Sequence, residues 1–301
     1  MTAVAGLDVL RGAVDAVGLE ARADSFTTRS IKTGSKRAAL DLTIRCIDLT
    51  TLEGSDTEGR VATLCARARQ PDPRRPDVPS VAAVCVYPSM VPHAVRYTTG
   101  SSVAVASVAG AFPSGLSDID VRQADIAAAV DAGADEIDIV LNRSAFLAGD
   151  HQLAFAEVAA ARDACGDAHL KVIIEAGELG TYDQIRAASM LSMAAGAHFI
   201  KTSTGKISQS SSLPIALCMA EAIRDFHDHT GAVVGLKVAG GIRHAKDAWR
   251  YLIMVNETLG PGWLTPDLFR IGASSLLNDV ILQLYKLDTG HYFGPDDVAV
   301  D

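Results

Sequence analysis

Eight short apolar segments recur along residues 45–272, and segments with the alanine-rich composition of helices separate them. The apolar segments have the length of buried strands. They are RCIDL (45–49), VAAVCVY (81–87), SVAVASV (102–108), DEIDIVL (135–141), LKVIIEA (170–176), HFIK (198–201), VVGLKV (233–238) and LFRIG (268–272). Strands that alternate with helices predict parallel β/α units, and eight such units close a barrel.

An open, doubly wound α/β sheet is the alternative for this pattern. Such a sheet normally carries a glycine-rich nucleotide loop after its first strand, and the motif G-x-G-x-x-G occurs nowhere in this sequence. We therefore predict an α/β fold of the (β/α)8 TIM-barrel type. A helical N-terminal extension is expected at residues 1–42, the catalytic barrel at 43–287 and a C-terminal tail at 288–301.

Charge and composition exclude several classes of protein. The formal net charge is −9 and Lys and Arg form no long stripe, which argues against nucleic acid as a partner. Asp8, Arg11 and Asp15 interrupt the apolar N-terminal residues too early for a signal peptide, and no apolar run approaches a membrane span of about 18 residues. The five cysteines are widely spaced and the histidines lack metal-ligand spacing, which disfavours disulfides and a metal site. We expect a cytoplasmic protein.

A lysine, Lys201, ends the sixth apolar segment. Most strand-end lysines simply reach solvent, but VDAGADEIDIV (130–140) and MAAGAHFIKTS (193–203) align so that Asp138 and Lys201 occupy equivalent positions on strands 4 and 6. Equivalent positions on alternate strands share one inward layer of a barrel. Lys237 lies near the end of strand 7, beside Lys201. We predict that the acid and both lysines meet inside the barrel.

Two neighbouring lysines have a chemical consequence. Ammonium groups about 6 Å apart, at an effective dielectric constant of about 20, repel by roughly 2 to 3 kcal/mol. That repulsion lowers one pKa from about 10.4 toward 8, and burial lowers it further. A neutral lysine amine attacks carbonyls to form a Schiff base, whose iminium permits aldol cleavage or condensation at the next carbon.

Three glycine-rich segments follow the last three strands: TSTGK (202–206), AGGIR (239–243) and IGASS (271–275). Each fits an ordinary turn, but barrels often bind phosphate with the loops after strands 7 and 8. We predict phosphate binding by Gly205, Gly240, Gly241, Gly272, Ser274 and Ser275. TSTGK is not a nucleoside-triphosphate loop, because that motif requires glycine where Ile200 stands. Cys85, near the end of strand 2, is a further candidate that faces the site or is simply a buried apolar residue.

These motifs together resemble the Schiff-base deoxyribose-phosphate aldolase family. The resemblance rests on FIKTSTGK, EIDIVLNR, LKVAGGIR, AVCVYP, CIDLTTLEG and KVIIEAGEL, runs from about Thr43 to Leu287, and extends into an N-terminal segment like that of the longer animal form. It implies reversible cleavage of 2-deoxy-D-ribose 5-phosphate to acetaldehyde and D-glyceraldehyde 3-phosphate, in deoxyribose phosphate catabolism. It also implies a homodimer or homotetramer that needs no cofactor.

The resemblance implies roles for individual residues. Lys201 is expected to form the Schiff base, Lys237 to lower its pKa, and Asp138 to transfer protons together with water. The residues expected in the substrate pocket are Asp48, Thr50, Cys85, Thr202 and Lys206. Tyr292, in the C-terminal HYFGPDDVAVD, is not assigned to the catalytic set.

Two alternatives remain open from the sequence. A transaldolase or a ketose-phosphate aldolase would use the same Schiff base but transfer or release a ketone fragment, which a product assay distinguishes. A phosphosugar-binding protein without catalysis is the other alternative. The intact set of Lys201, Lys237 and Asp138 argues against it, and reduction with borohydride tests it.

Overall fold

The computed structural model describes residues 12–208 and 211–294, and its centre is a closed barrel of eight parallel strands in chain order. The strands are β1 (Ile47–Thr50), β2 (Ala83–Val86), β3 (Ala104–Val108), β4 (Glu136–Val140), β5 (His169–Ile173), β6 (Phe199–Lys201), β7 (Gly235–Ala239) and β8 (Phe269–Ala273). Each strand overlaps one of the eight apolar segments, and β8 pairs with β1 to close the barrel. The predicted (β/α)8 fold is confirmed.

Helices surround the barrel. Within residues 12–46, two α-helices precede the first strand, α1 (Ala16–Thr27) and α2 (Lys36–Arg45). The others are α3 (Glu58–Arg69), α4 (Val91–Thr98), α5 (Ile119–Asp131), α6 (Arg143–Leu147), α7 (His151–Ala164), α8 (Tyr182–Ala194), α9 (Leu213–Thr230), α10 (Ala245–Leu259) and α11 (Leu276–Thr289). Side-chain caps on the first-turn N–H groups start many of them, as at Thr57, Asp118, Asp150, Thr181 and Ser212. No helix in the described ranges is long and apolar enough to cross a bilayer.

The N-terminal helices pack on the outer side of the barrel. Helix α1 lies against α9 and α10, and α2 lies against α10 and α11. Three ion pairs bridge the extension to these helices: Arg22 with Glu221 at 2.9 Å, Arg29 with Glu257 at 3.2 Å and Arg37 with Asp288 at 3.9 Å. The extension therefore covers the helices that follow β6, β7 and β8. Helix α2 runs across the boundary that we placed between residues 42 and 43, and residues 1–11 of the extension lie outside the described part.

Successive side chains of the strands alternate between the apolar outer core and the barrel interior. On β4, Ile137 and Ile139 belong to the apolar core of the molecule, whereas Glu136 and Asp138 alternate with them in sequence and contact charged partners on other strands. Successive side chains of a strand point to opposite faces. The outward face of the barrel is therefore apolar, and the inward face of several strands is charged.

Candidate active site

The two lysines and the aspartate predicted from the sequence meet inside the barrel. Lys201 and Lys237 are direct neighbours in the register of β6 and β7. Both ammonium groups donate hydrogen bonds to Oδ2 of Asp138, at 2.8 Å from Lys201 and 2.9 Å from Lys237. All three side chains are buried. One carboxylate oxygen thus holds both cations at the C-terminal end of the barrel.

Further charged residues lie beside this group. Lys237 also contacts Oδ2 of Asp48 at 2.6 Å, and the other oxygen of Asp48 accepts a hydrogen bond from Arg270 at 2.7 Å. Arg270 extends to Glu136 at 2.7 Å. Asp48 therefore links the lysine of β7 to a buried arginine of β8.

Lys171 of β5 completes the network. It is fully buried, pairs with Glu136, and lies 3.2 Å from Oδ1 of Asp138. The ring of Phe199 lies within cation–π range of both Lys171 and Arg270. The barrel interior therefore holds four basic side chains and three carboxylates: Lys171, Lys201, Lys237, Arg270, Asp48, Glu136 and Asp138.

Sequence reasoning missed Lys171, Glu136 and Arg270. Each stands within one of the eight apolar segments, with a hydrophobic residue next to it that the structure buries in the outer core. A charged residue whose neighbours face the helices must itself face the barrel interior. That alternation was the signal that could have identified them.

The network changes the pKa values of the two active-site lysines in opposite directions. Burial is the largest cause that lowers the pKa of Lys201; Asp138 opposes it, and Lys237 lowers the pKa further. Burial alone would also lower the pKa of Lys237, but the carboxylates of Asp138 and Asp48 outweigh it and raise that pKa above the ordinary lysine value. Lys201 is therefore the amine that gives up its proton more readily. Repulsion between lysines, the effect expected from the sequence, is the smaller cause.

The Asp138 carboxylate stays ionised in this environment. Burial alone would raise its pKa, but Lys171, Lys201 and Lys237 outweigh that effect and hold the pKa well below the ordinary aspartate value. An ionised carboxylate beside the lysine that loses its proton more readily can accept a proton. The pair is therefore suited to proton transfer.

A cavity of about 330 Å³ opens above Lys201. Nine of the residues predicted from the sequence line it: Thr50, Lys201, Gly205, Lys206, Gly240, Gly241, Gly272, Ser274 and Ser275. Arg60 and Arg243 line it too and were not identified from the sequence. The cavity therefore combines a buried amine at its floor with basic and glycine-rich loops at its mouth, an arrangement suited to an anionic carbonyl compound.

Five other predicted residues do not line the cavity: Asp48, Cys85, Asp138, Thr202 and Lys237. The Thr202 hydroxyl is occupied by the backbone of Ala239, donating to its oxygen at 3.3 Å and accepting from its N–H at 3.0 Å. Burial raises the pKa of the Cys85 thiol to about 11, so the thiol stays protonated near neutral pH. These residues lie beneath the cavity surface.

Gly272 has a steric role in addition to its place in the cavity wall. A Cβ at this position would lie 3.0 Å from Cβ of Ala239 and 3.4 Å from Cε of Lys237. A larger residue would therefore displace the Lys237 side chain. The absence of a side chain lets β8 pass close to that lysine.

A larger cavity, of about 640 Å³, lies between the N-terminal extension and α10 and α11. None of the predicted site residues lines it. Within the described ranges, no group of three His, Cys, Asp or Glu residues is placed to hold a metal ion. Tyr292 is 78% exposed and contacts Lys286, and residues 295–301 of the tail lie outside the described part. The smaller cavity above Lys201 is therefore the candidate active site.

Known proteins resemble this chain over most of its length. The model of the DeoC/LacD family of aldolases matches residues 42–280. Deoxyribose-phosphate aldolase of Mus musculus is 46% identical over 284 residues, which cover 90% of this chain and 89% of the mouse chain. The Homo sapiens protein of that name is 45% identical, with the same coverage.

One solved structure extends the comparison to the fold. The tetrameric deoxyribose phosphate aldolase from Aeropyrum pernix superposes with a TM-score of 0.61 and 24% identity, covering 86% of this chain and 97% of that chain. This likeness concerns the fold, whereas the family match and the mammalian relatives concern the sequence. On that evidence, the chain belongs to the DeoC/LacD family of aldolases.

Proposed function

We propose that the protein is a Schiff-base aldolase that reversibly cleaves 2-deoxy-D-ribose 5-phosphate to acetaldehyde and D-glyceraldehyde 3-phosphate. The observation that carries this proposal is Lys201, an amine of lowered pKa at the floor of the cavity and 2.8 Å from Asp138. The mammalian relatives named deoxyribose-phosphate aldolase support the choice of substrate.

The reaction begins when the neutral amine of Lys201 attacks carbon 1 of the open-chain sugar. Loss of water gives an iminium. Removal of the proton from the 3-hydroxyl then breaks the bond between carbons 2 and 3, and its electron pair moves toward the iminium to give an enamine. D-Glyceraldehyde 3-phosphate leaves. The enamine takes a proton at carbon 2, and water hydrolyses the resulting iminium to acetaldehyde and free Lys201.

Asp138 transfers protons in this scheme, and Lys237 supplies a fixed positive charge. The Asp138 carboxylate, together with water, accepts the proton of the 3-hydroxyl and returns one to the enamine. Lys237 remains protonated because Asp48 and Asp138 outweigh its burial and raise its pKa. It keeps a positive charge beside the reacting nitrogen, which favours the neutral form of Lys201.

The 5-phosphate of the substrate is assigned to the mouth of the cavity. Gly205, Gly240, Gly241 and the loop that carries Ser274 and Ser275 line this space, and the backbone N–H groups of glycine-rich loops are good donors to phosphate. The basic side chains there add the complementary charge. Thr50 and Lys206 are assigned to the remaining substrate oxygens.

The setting of the reaction is also part of the proposal. We infer a cytoplasmic role in the catabolism of deoxyribose phosphate, with small molecules rather than nucleic acid as partners. A homodimer or homotetramer is expected, and the tetrameric state of the Aeropyrum pernix protein is consistent with it. Size-exclusion chromatography with light scattering tests the assembly.

Trapping of the Schiff base tests the reaction directly. Addition of 2-deoxyribose 5-phosphate and borohydride is expected to leave a reduced two-carbon adduct on Lys201, located by peptide mapping. Lys201→Met should lose the adduct and on the order of 10⁴-fold or more of kcat/KM. Lys246→Met, on the exposed first turn of α10, is the matched control and should keep both.

Two results would contradict the proposal. A reduced three-carbon ketone fragment would identify a transaldolase or a ketose-phosphate aldolase. The lack of any adduct on folded protein would indicate a phosphosugar-binding protein without Schiff-base chemistry.

A further inference from the structure

Glu175 has an unusual backbone conformation directly after β5. Its φ and ψ are 49° and 58°, in the left-handed region that side-chain-bearing residues rarely adopt. Its side chain is buried, with 1% of the residue exposed. A residue keeps such a conformation only where surrounding contacts determine it, and residues of this kind cluster at functional sites.

Both oxygens of the Glu175 carboxylate accept hydrogen bonds from Thr204, in the loop after β6. Oε1 accepts the N–H of Thr204 at 3.1 Å, and Oε2 accepts its hydroxyl at 2.5 Å. No Lys, Arg or His within the described ranges pairs with this carboxylate. Hydrogen bonds from Thr204 therefore compensate its buried charge. They also fix the orientation of the Thr204 backbone N–H and hydroxyl.

Thr204 in turn holds the backbone of the loop that lines the cavity. Its hydroxyl oxygen accepts the backbone N–H of Lys206 at 3.1 Å, which closes the turn around Gly205. Thr204, Gly205 and Lys206 all line the active-site cavity. The Gly205 N–H has no hydrogen-bond partner in the described part of the chain, so it is available to an anion.

The two halves of this loop are fastened differently. Hydroxyls of Thr202 and Ser203 bind the backbone of Ala239 on β7, which holds the half nearest Lys201. Glu175, from the loop after β5, holds the half that contains Gly205 and Lys206. Loss of the Glu175 contact should therefore loosen the cavity mouth and leave the Schiff-base lysine in place.

We propose that Glu175 is a positioning residue for phosphate recognition, which acts through Thr204 to aim the Gly205 N–H at the terminal phosphate of the substrate. Glu175 thereby sets the preference for phosphorylated over unphosphorylated 2-deoxy sugars. The inference rests on the proposed function, because it assumes that the cavity binds a phosphosugar aldehyde.

Glu175→Gln is the variant that tests this role. The amide keeps the size of the side chain but presents one oxygen, so it accepts only one of the two Thr204 hydrogen bonds. We expect KM for 2-deoxyribose 5-phosphate to rise about tenfold, the factor for one lost hydrogen bond to a charged group. We expect kcat for that substrate, and kcat/KM for unphosphorylated 2-deoxyribose, to change less than about twofold.

A neighbouring carboxylate provides the matched control. Glu178 lies three residues further on, is largely exposed, and pairs with Arg143 at 2.7 Å. Glu178→Gln should leave both kinetic profiles unchanged. Thr204→Val removes the hydroxyl donor and should raise KM for the phosphorylated substrate as well. Since both changes break the same contact, the double variant should lose less than the product of the two single effects, and Thr204→Ser should recover most of the loss.

The outcomes separate this inference from the proposed function. Equal losses for phosphorylated and unphosphorylated sugar would overturn the inference, since they indicate a general structural role, and so would an unchanged or lower KM. If Glu175→Gln does not fold, the Thr204 variants test the same hydrogen bond from its other partner. Borohydride trapping with acetaldehyde is the independent readout: an adduct on Lys201 in wild type and in Glu175→Gln leaves the proposed function standing whichever way KM moves.

Discussion

The interior of the barrel differs between its two sides. On β2 and β3 the enclosed residues are small and apolar, with Cys85, Ala106 and Val108 forming a separate cluster with Leu52. On β1 and β4 to β8 the enclosed residues include the seven charged side chains described above. The charges of Asp138, Lys237 and Lys201 all act on the Cys85 thiol, so the two sides adjoin. Lys201 lies under the influence of both.

Burial and the Asp138 carboxylate change the pKa of Lys201 in opposite directions. Burial favours the neutral amine, the Asp138 carboxylate favours the ammonium, and Lys237 adds to the effect of burial. The apolar side contributes to the exclusion of water around the nucleophile, and the charged side supplies the groups that carry protons. Substitutions on the two sides should have different effects.

Asp138→Asn should have the largest effect, because it removes the carboxylate that both lysines share. An amide cannot accept and return the proton of the 3-hydroxyl, so we expect kcat/KM to fall by about 10²- to 10⁴-fold. Steady-state kinetics with 2-deoxyribose 5-phosphate measures the loss. Asp131→Asn, on the exposed end of α5, is the control and should retain full activity. A loss below about tenfold for Asp138→Asn would remove the carboxylate from the proton path.

Lys171→Met tests the structural importance of the charged side. It leaves Glu136 and Asp138 buried without their nearest shared cation, and a broken buried pair costs about 3 to 5 kcal/mol. Chemical denaturation measures the difference. The exposed Lys246→Met again serves as the control, and an equal stability of both variants would mean that Lys171 contributes nothing to the network.

The same variant should change how stability depends on pH. Burial would raise the pKa of Glu136 and Asp138, but the ammonium of Lys171 is the largest opposing cause and their pKa values are lowered. A lowered pKa contributes stability above the ordinary values of 4.5 and 3.8, and that contribution is lost as pH falls below them. The gap in stability between wild type and Lys171→Met should therefore be largest near neutral pH and narrow below about pH 4.

Cys85→Ser tests the apolar side and should have the smallest effect. Trapping requires neutral Lys201, so its rate should rise as pH passes upward through a midpoint below 10.5, the ordinary lysine value. A hydroxyl at position 85 makes the wall more polar, which should move the midpoint upward by a fraction of a unit and slow trapping a few-fold near neutral pH. Cys165→Ser, buried among the outer helices, is the matched control. A downward shift, or the same shift in both variants, would contradict the role of the apolar side.

Much of the fold and the centre of the site could be predicted from local patterns. Each of the eight apolar segments overlaps a strand, because a buried parallel strand needs apolar residues on its outer face whatever its inner face carries. The repeated Ala-Gly-Ala turn placed Asp138 and Lys201 on equivalent positions, and the structure joins them by a hydrogen bond.

Other features depend on how the barrel closes. Strand tilt and stagger decide which inward residues share a layer. The sequence therefore could not show that Arg270, on β8, reaches Glu136, on β4. Nor does a run of hydroxyls reveal its partners. Thr202 resembled a substrate ligand in TSTGK, but its hydroxyl fastens two strands. Only the folded chain distinguishes a hydroxyl that binds backbone from one that faces a cavity.

The charged interior has a consequence for the fate of aldehydes in general. An iminium on Lys201 carries the same positive charge as the ammonium that Asp138 holds in the resting protein. A covalent adduct therefore has the same charge as the protonated lysine, and its interaction with the surrounding carboxylates does not favour its hydrolysis. A reactive aldehyde that cannot complete the cycle should accordingly linger on this lysine. Small aldehydes that cannot complete the cycle are therefore expected to inactivate the protein slowly.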